Sequence, residues 1–163
     1  LTCLVARPRW VLEALNLVAF ASTLCLAVRL LYAVLARGVV VEWNEFLRAD
    51  ALSAWMVLLI SVVSLSSAFY AVQYFRRDLA SGAVSARQFR QFYVLTPLFA
   101  SAMFLVVLAN SLGVMWVAVE GTAMASVLQV ALYNRKTSLE AAWKYIILGS
   151  LGLVLALFGT IFT

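Results

Sequence analysis

Five long apolar runs decide what this chain can fold into. They extend from Trp10 to Ala36, Ala51 to Phe75, Phe92 to Ala109, Leu112 to Tyr133 and Ala141 to Thr163. A helix that crosses the hydrocarbon of a bilayer needs about 20 mostly apolar residues, with about 17–25 tolerated. Each run is long enough. Within hydrocarbon every backbone N–H and C=O must find its partner inside the segment, which makes the helix the natural spanning form. The period-two alternation of strands is absent. The expected fold is therefore all-α: a polytopic transmembrane helical bundle with five spans at 10–36, 51–75, 92–109, 112–133 and 138–163, forming a single transmembrane region over residues 1–163.

Composition agrees. Hydrophobic residues make up 66% of the chain, charged residues only 12%, and mean hydropathy is +1.03. Ordinary soluble domains run at about 45–50% apolar and about 25% charged. Seven acids and twelve bases cannot hydrate the surface of a soluble domain of this size, which excludes a water-soluble enzyme and a disordered chain. The chain has no histidine, so histidine-ligated haem, copper and the common zinc sites are excluded. Cys3 and Cys25 are far apart and suggest neither a thiolate metal site nor a disulfide framework. No glycine-rich nucleotide-binding pattern occurs. No catalytic residues, cofactor or metal are expected within this chain. Because it opens at Leu1 and closes inside an apolar run, the chain is expected to be part of a longer subunit.

The first run lies too far into the chain, and is too long, for a secretory signal. The connection at Asn110 and Ser111 is so short that the third and fourth helices must be an antiparallel pair in contact. Thr137 and Glu140 stand in a T-x-x-E capping pattern, which predicts that the fifth helix starts near Ser138. Bases in the connections are unevenly shared. Arg7, Arg9, Arg76, Arg77, Arg87, Arg90, Arg135 and Lys136 lie at one end of the spans, whereas Arg37 and Arg48 lie at the other, opposed by Glu42, Glu45 and Asp50. The positive-inside rule places the first end, and so the N-terminus of this segment, in the cytoplasm. The expected location is the inner (cytoplasmic) membrane. The net charge of +5 thus reads as topology, and no nucleic-acid partner is expected. Trp10, Trp43, Phe92, Tyr93 and Tyr133 sit toward run ends, as an interfacial aromatic belt would place them.

Charges inside spans carry any chemistry the chain has. Glu120 stands near the middle of the fourth run. An acid there costs roughly 2.5–3.5 kcal/mol on insertion scales and usually faces a partner or a hydrated path. A poised carboxylate can take up and release a proton; the plainer reading is a protonated packing residue. Lys144 lies about 9 Å along a helix starting at Ser138, where its stem can snorkel back to the interface or approach Glu120 from the antiparallel neighbour. Small and hydroxylated residues around Glu120, from Gly121, Thr122 and Ala123 to Ala125 and Ser126, leave room for close helix approach and for a bridge. Glu13 and Arg29, near opposite ends of the first run, are expected to snorkel. Asn16, Gln73 and Gln129 are expected to make interhelical hydrogen bonds or to sit at interfaces, and Ser61, Ser64, Ser66 and Ser67 to form a packing face.

The stretch from Ala109 to Ser126, ANSLGVMWVAVEGTAMAS, followed by RKTSLEAAWKY from Arg135 to Tyr145, resembles the antiporter-like proton-pumping membrane subunits of complex I and the energy-converting nickel–iron hydrogenases. The likeness is closest to the hydrogenase-4 component F type. Asp50-Ala51-Leu52-Ser53 is similar to a weaker motif at the start of that family's third helix. The resemblance covers roughly Val41 to Phe162 and implies that the five spans are the family's helices two to six, part of a fold of inverted repeats. It further implies that Glu120 is a proton-translocating glutamate and Lys144 the lysine of the following helix, with Thr122, Ser126 and Trp116 as supporting residues. The implied function is that of a membrane subunit of a redox-driven proton-translocating complex, with the bilayer, other membrane subunits and redox partner subunits as its partners. The alternatives are a cation/proton antiporter subunit of the Mrp type and a purely structural membrane subunit.

Overall fold

The computed structural model describes residues 9–80, 82, 84–133 and 136–162. Cys3, Arg7, Arg135 and Thr163 lie outside the described residues, as do the side chains of Arg9 and Tyr133. The elements run α1 (Arg9–Arg37), β1 (Val40–Glu42), β2 (Leu47–Ala49), α2 (Ala51–Ala80), α3 (Ala86–Leu108), α4 (Leu112–Val130), a 3₁₀ turn (Ala131–Tyr133) and α5 (Lys136–Ile161). All five helices are long and apolar enough to cross a membrane. Consecutive helices pack against one another in chain order, and α1 also touches α3.

Helix ends depart from the apolar runs for local reasons. α2 continues past Phe75 through Arg76 and Arg77, because straight-chain basic residues are good helix formers and favour a helix C-terminus. α3 starts six residues before the apolar run, at a capping box. The Ser85 hydroxyl accepts from the Gln88 N–H at 3.3 Å, and the Gln88 side chain accepts from the Ser85 N–H at 2.8 Å. The Thr137/Glu140 pattern, by contrast, falls inside α5, which starts earlier, at Lys136.

A small antiparallel hairpin pairs Val40 with Ala49 and Glu42 with Leu47. It lies outside the expected elements, its strands being only three residues long. Trp43, Asn44 and Glu45 hold positive φ angles of 55°, 51° and 67°, a conformation that costs L-residues about 1–2 kcal/mol each. The turn between α3 and α4 holds it. The Asn110 side-chain amide donates to the Glu45 carbonyl at 2.7 Å, and the Asn110 N–H donates to the Phe46 carbonyl at 3.1 Å. Asp50 then caps α2, accepting from the Ser53 N–H at 2.8 Å. This hydrogen bond is the main reason the Asp50 carboxyl sits below the usual carboxylate range.

The core lies among α1, α2 and α3 in three clusters. One gathers Leu12, Phe75, Phe89 and Tyr93 at the basic end, the middle one Phe20, Ala68 and Ala100, and one Val34, Ala49 and Ala54 at the hairpin end. Pro97 interrupts α3. With no N–H, it cannot donate to the carbonyl of Tyr93 one turn earlier. Asn16 of α1 donates its side-chain amide to that carbonyl at 3.0 Å, in a buried position. A neighbouring helix thus satisfies the group that proline frees, as hydrocarbon requires. α5 is different: no residue in its apolar window is buried.

Candidate functional site

Glu120 lies eight residues after the start of α4 and ten before its end, at the centre of the span, and is half-buried. Ser150 of α5 donates its hydroxyl to a Glu120 carboxylate oxygen at 3.4 Å, a long hydrogen bond. Among the described residues no base lies within ion-pair distance of Glu120. Small side chains allow the close packing around it: a Cβ added at Gly121 would stand 3.7 Å from the Ala102 Cβ of α3. The hydroxyls of Thr122 and Ser126 are spent on their own helix. Thr122 donates to the Val119 carbonyl at 2.7 Å and Ser126 to those of Thr122 and Ala123 at 3.0 and 2.9 Å. Trp116, one turn before Glu120, is half-buried. Ser150 was not singled out in the sequence, because serines are common in spanning helices. The usable signal was depth: Ser150 is about 21 Å along α5, and Glu120 lies at a similar level on its antiparallel partner.

Lys144 is not brought to Glu120. Its ammonium donates to the Glu140 carboxylate at 2.6 Å in an exposed i,i+4 pair. Helical periodicity explains this. The face of α5 that meets the bundle carries buried Ala142 and half-buried Ile146, Gly149 and Ser150. Lys144 stands about 120° round the helix from Ser150 and nearly opposite Ala142. It also lies about 9 Å nearer the start of α5 than Ser150.

A second polar cluster, at the basic end, joins α1, α2 and α3. Glu13 is 5% exposed, so it does not snorkel to the interface. Arg76 of α2 forms an ion pair with it, donating from Nε to its two oxygens at 3.2 and 3.1 Å. The Arg76 side chain remains largely exposed. Tyr93 is buried beside this pair, and its hydroxyl has no hydrogen-bond partner among the described residues. Glu13 and Arg76 are far apart in sequence. What could have joined them is depth, since an acid just inside the start of α1 and a base just before the end of α2 must lie at the same membrane level. Of the remaining polar groups, Gln129 reaches the Leu95 carbonyl of α3 at 3.4 Å. Ser61 is fully buried and bonds its own helix at 2.7 Å, whereas Ser66 and Ser67 are exposed, so the serine face is only partly packed.

Five helices long and apolar enough to span a bilayer, with a carboxylate near the middle of the fourth, describe a polytopic membrane protein. Comparison with known proteins narrows this: the chain belongs to the antiporter-like membrane-subunit family of complex I and the energy-converting hydrogenases. Residues 41–82, the hairpin and α2, match the family described as NADH-ubiquinone oxidoreductase (complex I), chain 5 N-terminus. Over 117 residues, 72% of this chain, it is 34% identical to the hydrogenase-4 component F homolog of Methylacidiphilum infernorum (isolate V4). The matched stretch is 25% of that protein, so the chain spans about a quarter of the length of the curated relative it matches.

Proposed function

We propose that this chain is the part of a longer membrane subunit, in a redox-driven proton-translocating complex, that supplies a mid-membrane proton-carrying carboxylate. The observation that carries the reading is Glu120 itself: half-buried at the centre of α4, with one long hydroxyl contact and no cation beside it among the described residues. A structural carboxylate in a membrane is usually closed off by a base or by several donors. A single 3.4 Å contact supports a working carboxylate over a structural one. The Ser150 hydroxyl suits both states, since it donates to the carboxylate and can accept from the carboxylic acid.

In this reading protonation of Glu120 alternates with a change of nearby charge, and the coupling is electrostatic. Lys144 takes part as a neighbouring charge whose field Glu120 senses, exchanging between Glu140 and the interior, and not as a direct partner. Redox cofactors reside in partner subunits, and the basic end of the bundle, with the N-terminus of this segment, faces the cytoplasm across the inner membrane. The test is Glu120→Gln in the intact complex. Proton translocation per electron transferred is expected to fall at least about tenfold, the size typical of losing a positioned proton-transfer group, with the complex still assembled. Undiminished translocation would falsify the role. Ser150→Ala is expected to give a smaller loss, about twofold to fivefold.

A further inference from the structure

A cavity of about 850 Å³ opens between the first two turns of α3 and the end of α4. Its charged lining residues are both arginines, Arg87 and Arg90, and Gln91 lines it with them. Further along α3 toward the middle of the helix the lining turns apolar, with Val94 and Leu95, and Leu128 of α4 lines the same cavity. Neither arginine is in an ion pair among the described residues, and both are exposed. Their i,i+3 spacing puts the two guanidinium groups on one helix face, about 5–6 Å apart at Cβ. Two guanidinium forks at that spacing can grip one phosphate with several charge-assisted hydrogen bonds.

We propose that this cavity is a binding site for an anionic phospholipid, its phosphate held by Arg87 and Arg90 and an acyl chain laid along Val94, Leu95 and Leu128. The gradient from charge to oil runs along the helix axis. Val94 lies one turn, about 6 Å, deeper than Arg90. In a spanning helix that axis is close to the membrane normal, so the cavity repeats the profile of a phospholipid in depth and order. A free phosphate would leave the apolar floor empty, and a soluble acidic ligand would have to enter a site at membrane level. Basic pockets between spanning helices are known to take lipid headgroups on chemical grounds of this kind. The proposal rests on the membrane setting of the five helices and is independent of any role for Glu120.

The test uses the full-length subunit in nanodiscs of phosphatidylcholine with a minor fraction of phosphatidylglycerol, counting retained lipids by native mass spectrometry after transfer to detergent. Wild type is expected to keep phosphatidylglycerol selectively, and Arg87→Gln with Arg90→Gln to lower that retention about tenfold. Arg77→Gln, which removes a base at the same end but outside the cavity, is expected to leave it unchanged. Leu128→Trp, which fills the floor and keeps both arginines, is expected to expel the lipid. Equal losses from Arg77→Gln and the double variant would overturn the proposal, as would unchanged retention in the double variant. Displacement by millimolar inorganic phosphate, or photo-cross-linking of a probe at Leu128 to protein in place of lipid, would also count against it.

Discussion

The α1–α3 half of the molecule and the α4–α5 half each hold a carboxylate inside a span, and they treat it in opposite ways. Glu13 is almost completely buried, and the arginine of the next helix closes on both of its oxygens beside a cluster of aromatic rings. Glu120 is only half-buried, with one hydroxyl at 3.4 Å and small residues around it. The surroundings differ in the same sense, since the three core clusters draw mainly on α1 to α3 and the apolar window of α5 has no buried residue. A charge that is neutralised in place holds helices together. A charge left nearly alone does not tie its helices together in that way. In the function proposed above, the first half is scaffold and the second carries the residue that responds.

The sharpest way to break this contrast is to strand each carboxylate. Arg76→Leu leaves Glu13 buried without its cation, and the stranded carboxylate costs about 3 kcal/mol of stability. Glu13→Gln is expected to cost less, because the exposed Arg76 side chain can turn to water or headgroups. Replacing both with leucine should recover much of the loss. Glu120→Gln should leave stability nearly unchanged. Unfolding in detergent micelles reads all four, and equal losses from Glu120→Gln and Arg76→Leu would erase the distinction between the halves.

Packing at the seam of the two halves comes next. Alanine at Gly121 meets Ala102 at an ordinary 3.7 Å, so Gly121→Ala is expected to be close to neutral. Gly121→Leu must push α4 from α3 and is expected to cost about 1–3 kcal/mol as overpacking. It should also disturb Glu120, the adjacent residue, and lower translocation more than stability alone would.

Asn16 offers a finer test within the scaffold half. If its amide serves the Tyr93 carbonyl that Pro97 leaves free, Asn16→Leu should cost about 1 kcal/mol. In a Pro97→Ala background the helix can satisfy that carbonyl itself, and the same substitution should cost clearly less. A double-mutant cycle that gives no coupling between positions 16 and 97 would remove Asn16 from this role.

These cases also mark how far the sequence could be read. The five spans were legible because a bilayer tolerates few other solutions, and Glu120 was legible because a lone acid at mid-span stands out against an apolar background. The directions of side chains were less so. Lys144 is on the helix next to Glu120, yet it lies about 9 Å short of Ser150 and points elsewhere, and only buried Ala142 and half-buried Ser150 on another face of α5 reveal that. Glu13 and Arg76 belong to different runs, and nothing local to either joins them. The hairpin escaped because three-residue strands carry too little alternation to register, and because Trp43, Asn44 and Glu45 are held left-handed by a contact with Asn110 from a distant turn.

The smallest expected effect separates the polar loops at the hairpin end from the buried charge of the scaffold. Asp50 caps α2 through the Ser53 N–H, and that bond lowers its carboxyl below the ordinary value of 3.8. A group whose pKa is depressed on folding adds stability above its unfolded pKa and loses it as pH falls through the folded value. The contribution of Asp50 is therefore complete at neutral pH and fades only below pH 3.8. Asp50→Asn keeps a capping oxygen and removes the charge, so it should lower the melting temperature slightly at pH 7, by a difference that shrinks as pH falls below 3.8. A melting temperature that falls equally at both ends of the pH range would mean that the charge of Asp50 adds nothing to the cap.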